Sequence, residues 1–125
     1  MTNYLFDTLV ILEIAQGRPE LQQRVQRLFG HADTGAFSTI SEAELLGLAL
    51  PDDQRKALEN LLGLMRPVLV TKRVAREASR LHRLKGFPMP DALIAASAIV
   101  SGRKLLTRDQ HFARLDASLV EVIPP

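Results

Sequence analysis

Pro90–Phe112, PDALIAASAIVSGRKLLTRDQHF, decides how this chain folds. Ala92 to Val100 is apolar almost all round, and a helix of that kind is buried on most sides. Gly102 stops it, and Lys104-Leu105-Leu106-Thr107 follows as a short hydrophobic strand. One acid, Asp91, stands at the helix start, and a second, Asp109, stands just past the strand. Both acids are thereby tied to the centre of the fold.

Working outward, short apolar runs alternate with helical patterns. Residues 3–7 read as a buried strand ending in Asp7, and residues 9–14 turn into a short helix ended by Gly17. Pro19 opens a helix with Leu21, Val25, Leu28 and Phe29 on one face, and residues 30–35 form a loop. Residues 36–40 read as a second strand. Ser41 opens a helix that Pro51 cuts, and Asp52 begins the next, with Leu58, Leu61, Leu62 and Met65 inward. Residues 67–71 read as a third strand. Residues 73–85 form an amphipathic helix ended by Gly86, with Val74, Ala78 and Leu81 on one side. Residues 119–123 form a last strand stopped by Pro124. This alternation predicts an α/β fold, a three-layer α/β/α sandwich around a short, mainly parallel sheet of about five strands. Residues 1–125 read as one domain.

Composition narrows the chemistry. The chain has no cysteine, which excludes disulfides and thiolate metal sites. It shows no basic leader with an apolar run and no apolar run of membrane length, so it reads as a cytoplasmic, soluble protein. The formal net charge is only +2, yet charge is segregated. Lys72, Arg76, Arg80 and Arg83 share one helix side, while Glu42, Glu44, Asp52, Asp53 and Glu59 precede that segment. The basic side suits an RNA backbone, and it equally suits an ordinary solvated helix face. Aromatic residues make up 5%, too few for base stacking to dominate binding.

Functional groups of a parallel sheet gather beyond the carboxyl ends of its strands. That rule selects Asp7, the Ser41–Glu44 turn and Asp109, with Asp91 joining them from its helix start. Each acid also has a local structural explanation. Asp7 suits an N-cap; Ser41 with Glu44, Thr39 with Glu42, and Thr107 with Gln110 have capping-box spacing; Asp91 after Pro90 suits any helix first turn. Convergence of four segments on one rim favours a shared site. Carboxylates about 4 Å apart repel by roughly 4 kcal/mol each at an effective dielectric near 20, so such a site binds protons or a hard cation. Oxygen-only ligands point to Mg2+, with Mn2+ as the alternative. His31, His82 and His111 lack ligand spacing and read as surface or packing residues.

Asp7-Thr8, Ile40-Ser41-Glu42-Ala43-Glu44-Leu45-Leu46, Asp91-Ala92-Leu93-Ile94-Ala95-Ala96-Ser97-Ala98 and Leu106-Thr107-Arg108-Asp109-Gln110-His111-Phe112 together resemble PIN-domain nucleases, VapC-type toxins above all. The resemblance spans essentially the whole chain, so residues 1–125 are expected to be a single PIN-like domain. It implies a Mg2+- or Mn2+-dependent endoribonuclease, the toxin of a type II toxin–antitoxin system. Asp7, Glu44, Asp91 and Asp109 would be its catalytic and metal-holding acids, with Glu44 rather than Glu42 matching the family's alanine-glutamate-leucine pattern. A cognate antitoxin and a homodimer are implied as partners. The chain departs from the pattern at Leu9, where the family carries serine or a similar polar residue; Thr8 is retained. A non-catalytic PIN-like module binding RNA or protein is the alternative. A haloacid-dehalogenase phosphatase is set aside, because its opening motif needs an Asp where Leu9 stands.

Overall fold

The computed structural model describes residues 2–29 and 35–124, with the side chains of 28 and 29 outside that description. In chain order the elements are β1 (Tyr4–Phe6), α1 (Thr8–Ala15), α2 (Pro19–Phe29), β2 (Ala36–Ser38), α3 (Thr39–Leu46), α4 (Asp52–Leu64), β3 (Arg66–Val68), α5 (Lys72–Lys85), α6 (Met89–Val100), β4 (Lys104–Thr107), a 3-10 helix (Gln110–Arg114) and β5 (Val120–Val122). The strands form one sheet in the order β3-β2-β1-β4-β5, and every neighbouring pair is parallel. The α/β architecture and five-stranded sheet expected from the alternation are both present.

Side-chain alternation along the central strands separates two cores. Leu5 and Leu105 point to the layer of α5 and α6, where they meet Val74, Leu81, Ala95 and Phe112. Tyr4, Phe6 and Leu106 point the opposite way, to Val10, Ile11, Leu21, Leu58 and Leu62 from α1, α2 and α4. Three alanines of α6, Ala92, Ala95 and Ala96, are fully buried, and their small size lets the helix lie close to the sheet and to α5.

Several boundaries differ from expectation, each for a local reason. Strand β2 ends at Ser38, because the Ser38 hydroxyl accepts from Ile40 N at 3.2 Å and starts α3 at Thr39. Ser41 is therefore inside the helix, and neither the Ser41–Glu44 nor the Thr39–Glu42 pair is its capping box. Strand β3 sits one residue earlier and is shorter than predicted, because β2 offers it only three partners, Ala36 to Ser38. Leu69 and Val70 are left exposed beyond it. Its Pro67 is tolerated because β3 is an edge strand. Helix α6 starts at Met89, with Pro90 in its first turn, and α5 starts at Lys72 behind a Thr71 cap. Leu21 and Val25 are buried on α2 as predicted, whereas the side chains of Leu28 and Phe29, and His31 with most of the 30–35 loop, lie outside the described residues.

Candidate active site

The chain begins in the middle of the sheet, moves outward through β2 to β3, and returns to place β4 on the other side of β1. The direction of winding reverses between β1 and β4, and in open parallel sheets the crevice beyond such a point is where ligands bind. Asp7 closes β1 and Asp109 follows β4 by two residues, so the sequence places acids at both lips.

Asp7 is only 7% exposed. It caps α1 by accepting from Thr8 N at 2.8 Å, so the simple structural reading of this residue is correct as far as it goes. Its second oxygen accepts from Thr107 Oγ1 at 2.8 Å, across the β1–β4 seam. Burial drives its pKa up; those two hydrogen bonds pull it back; the nearby charges of Asp91 and Asp109 add to the rise. Asp91, in the first turn of α6, is also raised, by burial and then by Asp109, against a lowering from His111 and a further push from Glu44. Asp109 caps the 3-10 helix through His111 N at 2.9 Å, and its own N–H donates to Thr107 Oγ1 at 3.0 Å. The predicted Thr107–Gln110 box is thus replaced: Thr107 is fully buried and links Asp109 to Asp7. Glu44 accepts from Thr8 Oγ1 at 3.0 Å.

All four acids line one cavity of about 230 Å³ together with Thr8, and Leu9, Ile94 and Phe112 make its apolar wall. Glu42 lies elsewhere, in a groove of about 630 Å³ with Glu59, Leu62, Met65 and Leu69. Size therefore does not single out the acid cavity; the meeting of four separate chain segments does. Among the described residues, no three His, Asp or Glu side chains converge closely enough to clasp an ion between them. The donor set is nonetheless all oxygen and carries excess negative charge, which suits a hard cation that keeps several of its waters. Fewer than three direct carboxylate contacts would then suffice.

Sequence reading passed over the hydroxyls of Thr107 and Ser41 as site residues, and treated His111 as a surface or packing residue. His111 does pack, edge-on against Phe87 at 5.1 Å, and it also bears on the charge of Asp91. His82 is unrelated to the cavity lining; its Nδ1 lies 2.6 Å from Phe87 O. On α5, Lys72, Arg76, Arg80 and Arg83 are all exposed, and Arg80 is engaged by Glu77 at 2.8 Å. The far end of α5 meets the 3-10 helix, where the Arg114 guanidinium donates to Lys85 O.

A parallel α/β sheet with acids grouped at its switch point defines a protein whose chemistry sits beyond its strand ends. The chain belongs to the PIN domain family, whose model matches residues 4–118. Its structure is similar to a chain of a toxin–antitoxin complex from Klebsiella pneumoniae, with a TM-score of 0.82, 24% identity, and 96% and 97% of the two chains covered. It is also similar to VapBC2 from Rickettsia felis bound to a promoter DNA fragment, with a TM-score of 0.80, 21% identity, and 97% and 98% covered. A third, DNA-bound VapBC from Salmonella typhimurium, gives a TM-score of 0.78 at 18% identity over 98% of each chain. Identities this low speak for the fold. No curated protein matches the chain in sequence. PIN-domain toxins are in general nucleases that use divalent metal ions. Among the described residues, no helix is long and apolar enough to cross a membrane.

Proposed function

We propose that this protein is a metal-dependent endoribonuclease, the toxin of a type II toxin–antitoxin pair, working in the cytoplasm as a single PIN-like domain. The observation that carries this reading is the shared cavity of Asp7, Glu44, Asp91 and Asp109, in which Asp7 and Asp91 both hold their protons more tightly than usual. Negative charge arranged at such cost is explained if a cation relieves it. Asp7 and Asp91 would hold Mg2+ or Mn2+ directly, and Glu44 and Asp109 would hold metal-bound waters or a second ion. A bound divalent cation lowers the pKa of water and neutralises charge developing on a phosphodiester. Thr107 keeps Asp7 in its rotamer while it does so. Lys72, Arg76 and Arg83 grip the RNA backbone, with Arg80 partly withdrawn toward Glu77. A cognate antitoxin covers the acid cavity, and two copies of the chain associate; the occurrence of similar folds in toxin–antitoxin complexes supports the antitoxin.

The test is cleavage of single-stranded RNA by purified protein with and without Mg2+ or Mn2+. Cutting should require the metal and should vanish in Asp7→Asn while the variant keeps a native circular-dichroism spectrum. RNA binding with no cutting under any divalent metal would instead establish the binding module.

A further inference from the structure

Glu44, like Asp109, is exposed, and its place at the cavity depends on what holds it. The holder is Thr8, whose Oγ1 donates to Glu44 Oε1 at 3.0 Å and lies 2.8 Å from Ser41 Oγ. A threonine hydroxyl has a single proton. With that proton directed to the carboxylate, the Ser41 hydroxyl is the donor in the second contact. The chain therefore has a direction, Ser41 to Thr8 to Glu44, and each donated bond strengthens the next. Ser41 is fully buried on the same helix as Glu44, three residues earlier, whereas Thr8 opens α1 beside Asp7. The bridge leaves α3, touches α1 and returns. Leu9, the next residue of α1, has no hydroxyl to offer in its place.

We infer that Ser41 is a positioning residue of the cation site: acting through Thr8, it aims the Glu44 carboxylate into the cavity that Asp7, Asp91 and Asp109 share. This rests on the reading of those acids as a metal site. Ser41 touches neither metal nor substrate, so its effect must pass through the Thr8 hydroxyl, and that dependence is what separates it from ordinary packing.

The experiment is a double-mutant cycle on the full chain, read in two ways: Mn2+ affinity by calorimetry and melting temperature without metal. Ser41→Ala should weaken Mn2+ binding about three- to tenfold in the wild-type background and less than twofold in Thr8→Val. Thr8→Ser, which keeps the hydroxyl, should stay within about twofold of wild type. The metal-free melting shifts of Ser41→Ala and Thr8→Val should likewise be non-additive. Loss of Mn2+ affinity by Ser41→Ala that is equal with and without the Thr8 hydroxyl overturns the inference, as does no loss at all. If wild type binds no Mn2+, the cation site itself fails and takes the inference with it. The metal-free cycle then still reports whether the three side chains are coupled in the fold, so the two failures are told apart.

Discussion

The acid rim and the basic side of α5 each gather four charged side chains, and they are held in opposite ways. On α5 the cations stand in water, one of them drawn to its neighbour Glu77. At the rim, Asp7 is nearly enclosed, its two oxygens are met by Thr8 N and Thr107 Oγ1, and its proton is held unusually tightly. A row of exposed charges needs little explanation, because such faces are how helices stay soluble. A buried carboxylate facing other acids does need one. The difference teaches that the rim is where the fold has accepted an energetic penalty, and so where chemistry is to be sought.

The sharpest way to break this contrast is to remove one charge from each region. Asp7→Asn should lower metal-dependent RNA cleavage on the order of a thousandfold or more, read as initial rates at saturating Mn2+. A residual rate within tenfold of wild type would put the rim on the same footing as the helix face.

Metal binding tests the rim without substrate. Mn2+ at about 100 times its dissociation constant should stabilise wild type by roughly 2.7 kcal/mol, and Asp91→Asn should lose most of that gain. Thermal melts with a metal series measure it, and an identical series for α5 variants is the control. A rise in the metal-free melting temperature of Asp91→Asn would further show the repulsion that Asp109 and Glu44 impose there.

On the helix face the effect should be smaller and of another kind. Arg76→Ala with Arg83→Ala should weaken RNA binding several-fold and flatten the dependence of log K on log salt by about 0.7 per residue removed. The single-turnover cleavage rate at saturating RNA should stay unchanged. Fluorescence anisotropy across a salt series separates this from a lost chemical step.

The smallest expected effect is in pH. The native pKa of Asp7 lies above the ordinary 3.8, so the folded protein holds that proton more tightly than the unfolded chain. Above pH 3.8 the unfolded chain gives up the proton first, and metal-free stability falls as pH climbs through the raised native value. Asp7→Asn lacks this loss. The difference in melting temperature between variant and wild type should therefore grow in the variant's favour from pH 3.8 to neutrality. A flat difference would mean that burial does not tax this carboxyl.

The same contrast explains what could be read from the sequence. Local periodicity was enough for α6, because an apolar run with no polar side has only one place to go, and for β4, bounded by Arg103 and Arg108. It was enough to put Asp7, Asp91 and Asp109 at element ends. It failed where a choice between similar neighbours is settled by tertiary contacts. Ser38 and Ser41 look alike as caps, and only the packing of β2 makes Ser38 the cap while Ser41 turns inward to Thr8. The Thr107 hydroxyl has a plausible partner three residues on, yet the fold turns it to a carboxylate one hundred residues back. Leu69 and Val70 look like strand, but β3 has run out of neighbour before reaching them.

Strand β1 precedes the other strands and is paired on its second side by β4, so the Asp7–Thr107 bond joins residues 100 positions apart. Asp7 therefore meets Asp91 and Asp109 only after the chain has been synthesised through α6 and β4. Until β4 is added, the cavity lacks Asp109 and the Thr107 hydroxyl that holds Asp7, so the order of synthesis alone delays its assembly.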